Sequence, residues 1–172
     1  MLIKKHQHSK MSFNKPLFTI ITPTLNNKIG LIKTINSVKA QKLTNFEFIV
    51  VDGGSTDGTI EILNESKIIT KWISENDKGI YDAINKGINF SNGKYINTIN
   101  SGDTYFSENS LSIIKDYFDK NDVSFVFGAV KKKKITTNIN LKKLIGLLIF
   151  ILPIQVVFLL KKKFMIKLVY TI

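Results

Sequence analysis

The sequence contains no cysteine and no arginine. Without cysteine, disulfides, thiolate metal sites and a cysteine nucleophile are excluded. Without arginine, the side chain that makes the commonest specific contact to a base edge is missing. The formal net charge of +12 therefore does not point to base readout, and nucleic acid is not an expected partner. Acids are missing from both flanks: all 13 lie between Glu47 and Asp122, so the ends are purely basic and the centre carries the carboxylates. An excess of Lys, Ile and Asn is equally what a genome poor in G and C produces. Residues 1–15, MLIKKHQHSKMSFNK, have no apolar core of signal-peptide length and read as a flexible basic tail, in which His6 and His8 are not expected to bind metal. Two phosphate-binding fingerprints are absent as well. GGSTDG does not give the Gly-x-Gly-x-x-Gly spacing, and no Gly-x-x-x-x-Gly-Lys occurs.

What is present is a chain of 172 residues with 44% hydrophobic content, enough for one domain with a sizeable core. LFTIITPT at 17–24 reads as a buried strand closing at Pro23. After Gly30, Ile32, Ile35, Val38 and Lys39 recur at helical spacing. A strand follows at 46–51, then a helix at 55–65 with Ser55 or Thr56 near its start and Asp57 in its first turn. A short strand at 68–73 ends at Ser74. Ile80, Ala83, Ile84 and Ile88 predict one apolar face of a helix bounded by Gly79 and Gly93. A strand at 94–99, a helix around 107–118 and a strand around 123–127 complete the ordered part. Strands alternating with helices predict a mainly parallel sheet covered on both faces, with the ligand crevice outside the carboxyl ends of the strands. Thr22, Asp52, residues 74–77 and Asp103 all follow strand ends, so they are expected to converge on one edge.

Three polar constellations stand at those ends. Asp52 with Gly53 and Gly54 closes an apolar strand on an acid, and the glycines let backbone approach a ligand; a plain turn with a helix cap explains the same residues. In SENDKGIYDAINKG, 74–87, Glu75, Asp77, Lys78 and Asp82 crowd a helix start, where capping alone accounts for Asp77. In NSGD, 100–103, a carboxylate and an amide oxygen on a tight turn are hard donors suited to Mg²⁺ or Mn²⁺, while an Asx-turn is the simpler account.

TPTLNN at 22–27, VVDGGSTDGT at 50–59, SENDKGIYDAINKG and NSGD, in this order, resemble the nucleotide-sugar-binding half of family 2 glycosyltransferases. The likeness is to the bacterial polysaccharide-synthesis branch, with its DGGSTDGT and DKGIYDAxNKG signatures, and covers about residues 18–130. It implies a GT-A fold, an α/β three-layer sandwich with a Rossmann-like, mainly parallel sheet, here incomplete at the C-terminus. The resemblance also implies roles. Thr22 and Pro23 would form the loop beside the nucleotide base, and Asp52, next to Gly53, would accept a hydrogen bond from it. Asp77 and Lys78 would lie by nucleotide and sugar. Asn100 would line the turn from which Asp103 binds a Mn²⁺ or Mg²⁺ ion bridging the donor diphosphate. Two departures stand out: Gly53 occupies the place of a second aspartate in many relatives, and Asn100 and Gly102 the places of acids.

The implied activity is inverting transfer of a sugar from a nucleotide-diphosphate donor, a UDP-sugar first, to a saccharide or lipid-linked acceptor in cell-surface polysaccharide synthesis. The implied location is cytoplasmic, peripheral at the inner face of the membrane. Residues 16–130 read as the donor domain. Residues 131–172 hold ten lysines and no acid, and read as a remnant of the acceptor half. Within them LIGLLIFILPIQVVFLL, 144–160, is at the lower limit for a bilayer span of about 20 residues. LPIQVVFLLKKKF resembles a Pro-x-x-His-Gln-x-x-Phe segment of relatives with the histidine missing, and this account is preferred to a span. The lysines suit contact with anionic lipid at roughly 1 kcal/mol each. Nothing matches the later aspartate that serves relatives as general base, because Glu108, Asp116, Asp119 and Asp122 fall on a predicted solvated helix or its exit. The alternative reading is a truncated, inactive nucleotide-sugar-binding module.

Overall fold

Runs such as FIVV and FTII carry no polar face, which suits strands covered on both sides. A computed structural model describes residues 2–5, 15–123, 125–127, 130–132, 135–137 and 158–161. In chain order the elements are β1 (Leu2–Lys5), β2 (Phe18–Thr24), α1 (Lys28–Lys39), β3 (Phe46–Asp52), α2 (Thr59–Glu65), β4 (Lys71–Ser74), α3 (Ile80–Asn89), β5 (Tyr95–Thr98), α4 (Ser110–Lys120), β6 (Phe125–Phe127), β7 (Val130–Lys132), β8 (Ile135–Thr137) and β9 (Phe158–Lys161). Among the described residues the main sheet has the order β1-β4-β3-β2-β5-β9-β6, and β7 pairs with β8.

β4, β3, β2 and β5 run parallel. β1 adds antiparallel to β4, and β9 lies antiparallel between β5 and β6. The chain steps outward from β2 through β3 to β4, then returns to the other side of β2 to lay down β5. The strand order reverses there, and the carboxyl edge beside such a reversal is where open parallel sheets hold their ligands.

The pleat sends alternate residues to two cores. Phe48 and Val50 of β3 share one with Leu31, Ile35 and Val38 of α1, Leu63 of α2, and Leu111 and Phe118 of α4. Ile49 and Val51 face the other way, onto Ala83 of α3 and Phe90. α3 approaches β2 so closely that a Cβ on Gly87 would stand 2.5 Å from Ile21 Cγ2. At the opposite, amino edge of the sheet a buried carboxylate fastens the α3–β5 connection. Glu47 accepts hydrogen bonds from Thr19 Oγ1 at 2.6 Å, from Gly93 N at 3.2 Å and from Asn92 N, and pairs with Lys71 at 3.5 Å. Burial opposes its ionisation, but the Asn92 amide, the Thr19 hydroxyl and the Lys71 ammonium together outweigh it and hold the carboxyl below its usual range.

Several expectations shift. The helix after β2 begins at Lys28, with Asn27 as its cap accepting from Gly30 N at 3.1 Å. Its buried stripe is Gly30, Leu31, Thr34, Ile35 and Val38, whereas Ile32 is half-exposed. The polar Thr34 within that stripe hides its phase from a count of apolar residues. α2 begins at Thr59, four residues after Ser55, because the Ser55 hydroxyl is spent on Asp52 and Asp57 lies before the helix. β4 begins at Lys71, three residues after Ile68. Within the stretch read as a flexible tail, residues 2–5 form β1: an open edge at β4 offers backbone partners to any short extended segment. β9 comes from the lysine-rich segment beyond 130 and sits inside the sheet, between β5 and β6. His6, His8 and residues 144–157 lie outside the described residues. No helix among the described residues is long and apolar enough to cross a membrane.

Candidate functional site

The carboxyl ends of β2, β3 and β4 are in register, with Thr24 opposite Asp52 and Asp52 opposite Ser74. The residue after β5, Ile99, bonds through its N–H to Ile21 O at 3.0 Å, and Ser101 N to Pro23 O at 3.3 Å. The loops that follow these four strands therefore share one edge, as their strand-end positions predict.

Asp52 has no exposed surface. Its Oδ2 accepts from Gly54 N at 3.1 Å, Ser55 N at 2.9 Å and Ser74 Oγ at 2.7 Å, and its Oδ1 accepts from the Ser55 hydroxyl. The acid that closes β3 is satisfied by its own chain. It folds residues 53–55 into a cup, and the anticipated hydrogen bond from a nucleotide base meets a carboxylate already surrounded by donors. Thr22 is likewise fully buried, and among the described residues its hydroxyl, like that of Thr24, has no hydrogen-bond partner; Pro23 is buried beside it.

The loop after β2 is sewn onto that cup. Asn26, at φ 47°, donates its N–H to Ser55 Oγ at 2.7 Å and accepts from Thr56 N at 2.9 Å. Asp57 Oδ2 accepts the first N–H of α1, from Lys28, at 2.8 Å, and its Oδ1 accepts from Thr59 Oγ1 at 2.6 Å and Thr59 N at 3.1 Å. The Thr59 hydroxyl and the Lys28 amide hold the Asp57 carboxyl below its usual range. One acid thus satisfies the starts of both α1 and α2, where a negative charge suits the helix dipoles.

The loop after β4 closes over Gly53. A Cβ there would lie 2.8 Å from Asp77 Oδ2, so the absence of a side chain at 53 is what admits the Asp77 carboxylate. Asp77 Oδ1 accepts from Gly79 N at 2.9 Å, which fixes the turn into α3. Lys78 is exposed, and its backbone N–H donates to Asp82 Oδ2 at 3.1 Å. Lys86 ties the segment down, reaching Glu75 at 2.9 Å, Asp82 at 3.1 Å and Asn76 O at 3.2 Å. Burial would lower the Lys86 pKa, but the Glu75 and Asp82 carboxylates raise it above its ordinary value.

The turn at 100–103 packs against α1. Gly102 adopts φ 101°, and the Asp103 N–H donates to Asn100 O at 2.9 Å. Asn27 Nδ2 donates to Ser101 O at 3.0 Å. Asp103 and Asn100, both part-exposed, offer hard oxygen donors. Among the described residues no group of three His, Asp or Glu side chains is placed to hold a metal by itself. Such a donor set fits an ion whose other ligands arrive with it, as the oxygens of a diphosphate would.

The structure thus brings Asp52, Gly53 and Asp77 into one cluster and the turn bearing Asn100 and Asp103 to the same edge. The residues that join them, Asn26, Asn27, Asp57 and Thr34, are not legible as site residues in the sequence. The TLNN and STDG stretches beside the marked motifs were the available signal.

This sheet order, with its polar loops at the switch point, is the GT-A arrangement expected from the motifs. The chain superimposes on Staphylococcus aureus TarS 1–349 in complex with UDP-GlcNAc with a TM-score of 0.59 at 25% identity, over 63% of this chain and 32% of that one. It also superimposes on the Pyrobaculum calidifontis mannosyltransferase PcManGT, in complex with GDP-Man and Mn²⁺, with a TM-score of 0.61 at 20% identity, over 70% and 37%. The model of glycosyl transferase family 2 matches residues 19–167, and the chain belongs to that family. A Mycobacterium tuberculosis PGL/p-HBAD biosynthesis glycosyltransferase is 32% identical over 123 residues, 67% of this chain and 47% of the relative. Escherichia coli chondroitin synthase is 30% identical over 109 residues, 62% of this chain and 16% of that one. The chain thus spans about half the length, or less, of these curated relatives.

Proposed function

We propose that this chain binds a nucleotide-diphosphate sugar at the carboxyl edge of β2, β3, β4 and β5 and takes part in its transfer to a saccharide or lipid-linked acceptor in cell-surface polysaccharide or glycolipid synthesis. The observation that carries the reading is the knitting of the loops after these four strands into one polar edge at the switch point. Such an edge is where open parallel sheets bind ligands. A UDP-sugar is the first donor to test, because the TarS structure at 25% identity is a complex with UDP-GlcNAc. Asp52 organises the cup at 53–55, and Asp77 and Lys78 stand beside it for the nucleotide and sugar. Asp103, with Asn100, would hold a Mn²⁺ or Mg²⁺ ion together with the diphosphate. The ion would neutralise charge on the leaving diphosphate, a Lewis-acid contribution. The lysines of 131–172 favour a peripheral position at the inner, anionic face of the cell membrane.

One observation favours a second reading, donor binding without transfer. Two of the acids from 108 onward stand in surface ion pairs, Glu108 with Lys42 at 2.5 Å and Asp119 with Lys115 at 2.6 Å. Asp116 and Asp122 are exposed at α4 and just past it. None is set out as a general base for an acceptor hydroxyl. Calorimetric titration with UDP, GDP and dTDP, each with and without Mn²⁺ at fixed salt, tests the donor site. Metal-enhanced binding of one nucleotide supports it, and no binding by the folded chain removes it. Slow donor hydrolysis or transfer then separates the enzyme from the binding module.

A further inference from the structure

Thr34 lies within α1 with no exposed surface, on a stripe otherwise made of Gly30, Leu31, Ile35 and Val38. A threonine inside a helix commonly satisfies its hydroxyl on the carbonyl four residues back. Here that contact, to Gly30 O, is long at 3.3 Å, and Asn100 O is equally far. The near partners belong to the turn: Asp103 O at 2.8 Å and Gly102 N at 2.9 Å. A hydroxyl has one proton, so it donates to the Asp103 carbonyl and accepts the Gly102 N–H. One side chain in the helix thus ties two successive backbone groups of the turn at short range. The turn is pressed onto the same helix, since a Cβ at Gly102 would lie 3.7 Å from Asn27 Nδ2 and 3.9 Å from Gly30 Cα. Asn27 holds Ser101 from the other side, donating to its carbonyl at 3.0 Å and accepting its hydroxyl at 3.3 Å.

We propose that Thr34 is a positioning residue for Asp103: its hydroxyl fixes the backbone of the 100–103 turn from inside α1 and so sets where the Asp103 carboxylate meets a metal–diphosphate complex. The proposal rests on the donor-site reading above. Because α1 is also pinned to the cup through Lys28 N and Asp57, at 2.8 Å, the helix links the metal turn to the nucleotide loop. Metal and nucleotide are thereby coupled through one rigid element.

The test is calorimetry of the full chain with UDP, with and without Mn²⁺, on the unaltered protein and on Thr34→Val, Thr34→Ala and Thr34→Ser, with melting temperatures alongside. Valine removes the hydroxyl at nearly constant volume, alanine removes it in a strong helix former, and serine keeps it. Val and Ala are expected to retain metal-free UDP affinity and lose about 10–100-fold of the Mn²⁺-dependent gain, the usual effect of removing a group that orients a metal ligand. Serine is expected to restore that gain. Full Mn²⁺ enhancement in folded Val or Ala overturns the proposal, as does equal loss with and without metal, or unfolding of both variants, either of which assigns the hydroxyl to stability alone. If the unaltered chain binds UDP with no response to Mn²⁺, the metal role of Asp103 falls and this inference with it. If it responds and the variants respond equally, only this inference falls.

Discussion

Replacing Asp52 separates two functions that its position allows. In Asp52→Ala the N–H groups of Gly54 and Ser55 and the hydroxyls of Ser55 and Ser74 lose their acceptor at a site with no exposed surface. The hydroxyls can rotate to other partners, but the two amides cannot. The two amides are part-buried, and each orphaned one costs about 1–3 kcal/mol, so the loss is about 4 kcal/mol. Asparagine keeps an oxygen for both amides and presents its own N–H to hydroxyl oxygens, so Asp52→Asn loses about 1 kcal/mol, the difference between charged and neutral acceptors. Urea unfolding followed at Trp72 reads this directly, since it is the sole tryptophan and is buried beside β3. With a slope of about 2 kcal/mol per molar, the alanine midpoint falls by about 2 M and the asparagine midpoint by about 0.5 M. UDP titration under native conditions completes the comparison: the alanine variant loses binding at least about tenfold, equivalent to 1.4 kcal/mol, and the asparagine variant keeps most of it. If asparagine is as stable as expected yet loses nucleotide as fully as alanine, the carboxylate contacts the ligand directly and the loop-organising account is refuted.

Glu47→Gln places an amide donor against Lys71 and Asn92 Nδ2, both donors, and weakens three bonds from charged to neutral, for about 3 kcal/mol at neutral pH. Because the folded-state carboxyl titrates below its ordinary 4.5, its stabilisation is complete above that pH and is lost as pH falls through the folded value. Urea midpoints of wild type and variant should therefore differ at neutral pH and converge in acid; parallel pH profiles would remove the assignment. Asp103→Asn should abolish the Mn²⁺-dependent part of nucleotide binding while sparing the rest, and unchanged metal dependence in calorimetry would show that the ion is held elsewhere. Gly53→Ala puts a methyl 2.8 Å from Asp77 Oδ2 and should push that carboxylate aside, with UDP affinity about tenfold weaker, equivalent to 1.4 kcal/mol, and melting temperature little changed. Equal affinity would take Asp77 out of the site.

Sequence alone determined the alternation of strands and helices, the parallel core, the order of the four motifs and the edge on which Asp52, Asp77 and Asp103 gather. These follow from local periodicity and from strand ends, which neighbouring residues encode. The start of α2, the phase of α1 and the recruitment of β1 and β9 into the sheet were decided by partners distant in the chain. Ser55 could cap a helix, but Asp52 and Asn26 take its hydroxyl first. Ile32 fits a helical stripe, yet the core presses on Leu31, and the polar Thr34 completes the face. That Asp52 is satisfied by its own loop is equally invisible in VVDGGSTDGT, because Ser74, one of its donors, arrives from β4. Thr34 and Asp103 stand 69 residues apart, and no spacing rule joins them. A hydrogen bond of that range exists only once the sheet has brought β2 beside β5 and α1 has packed on its face, so tertiary packing, and not pattern, turned two loops and a helix into one site.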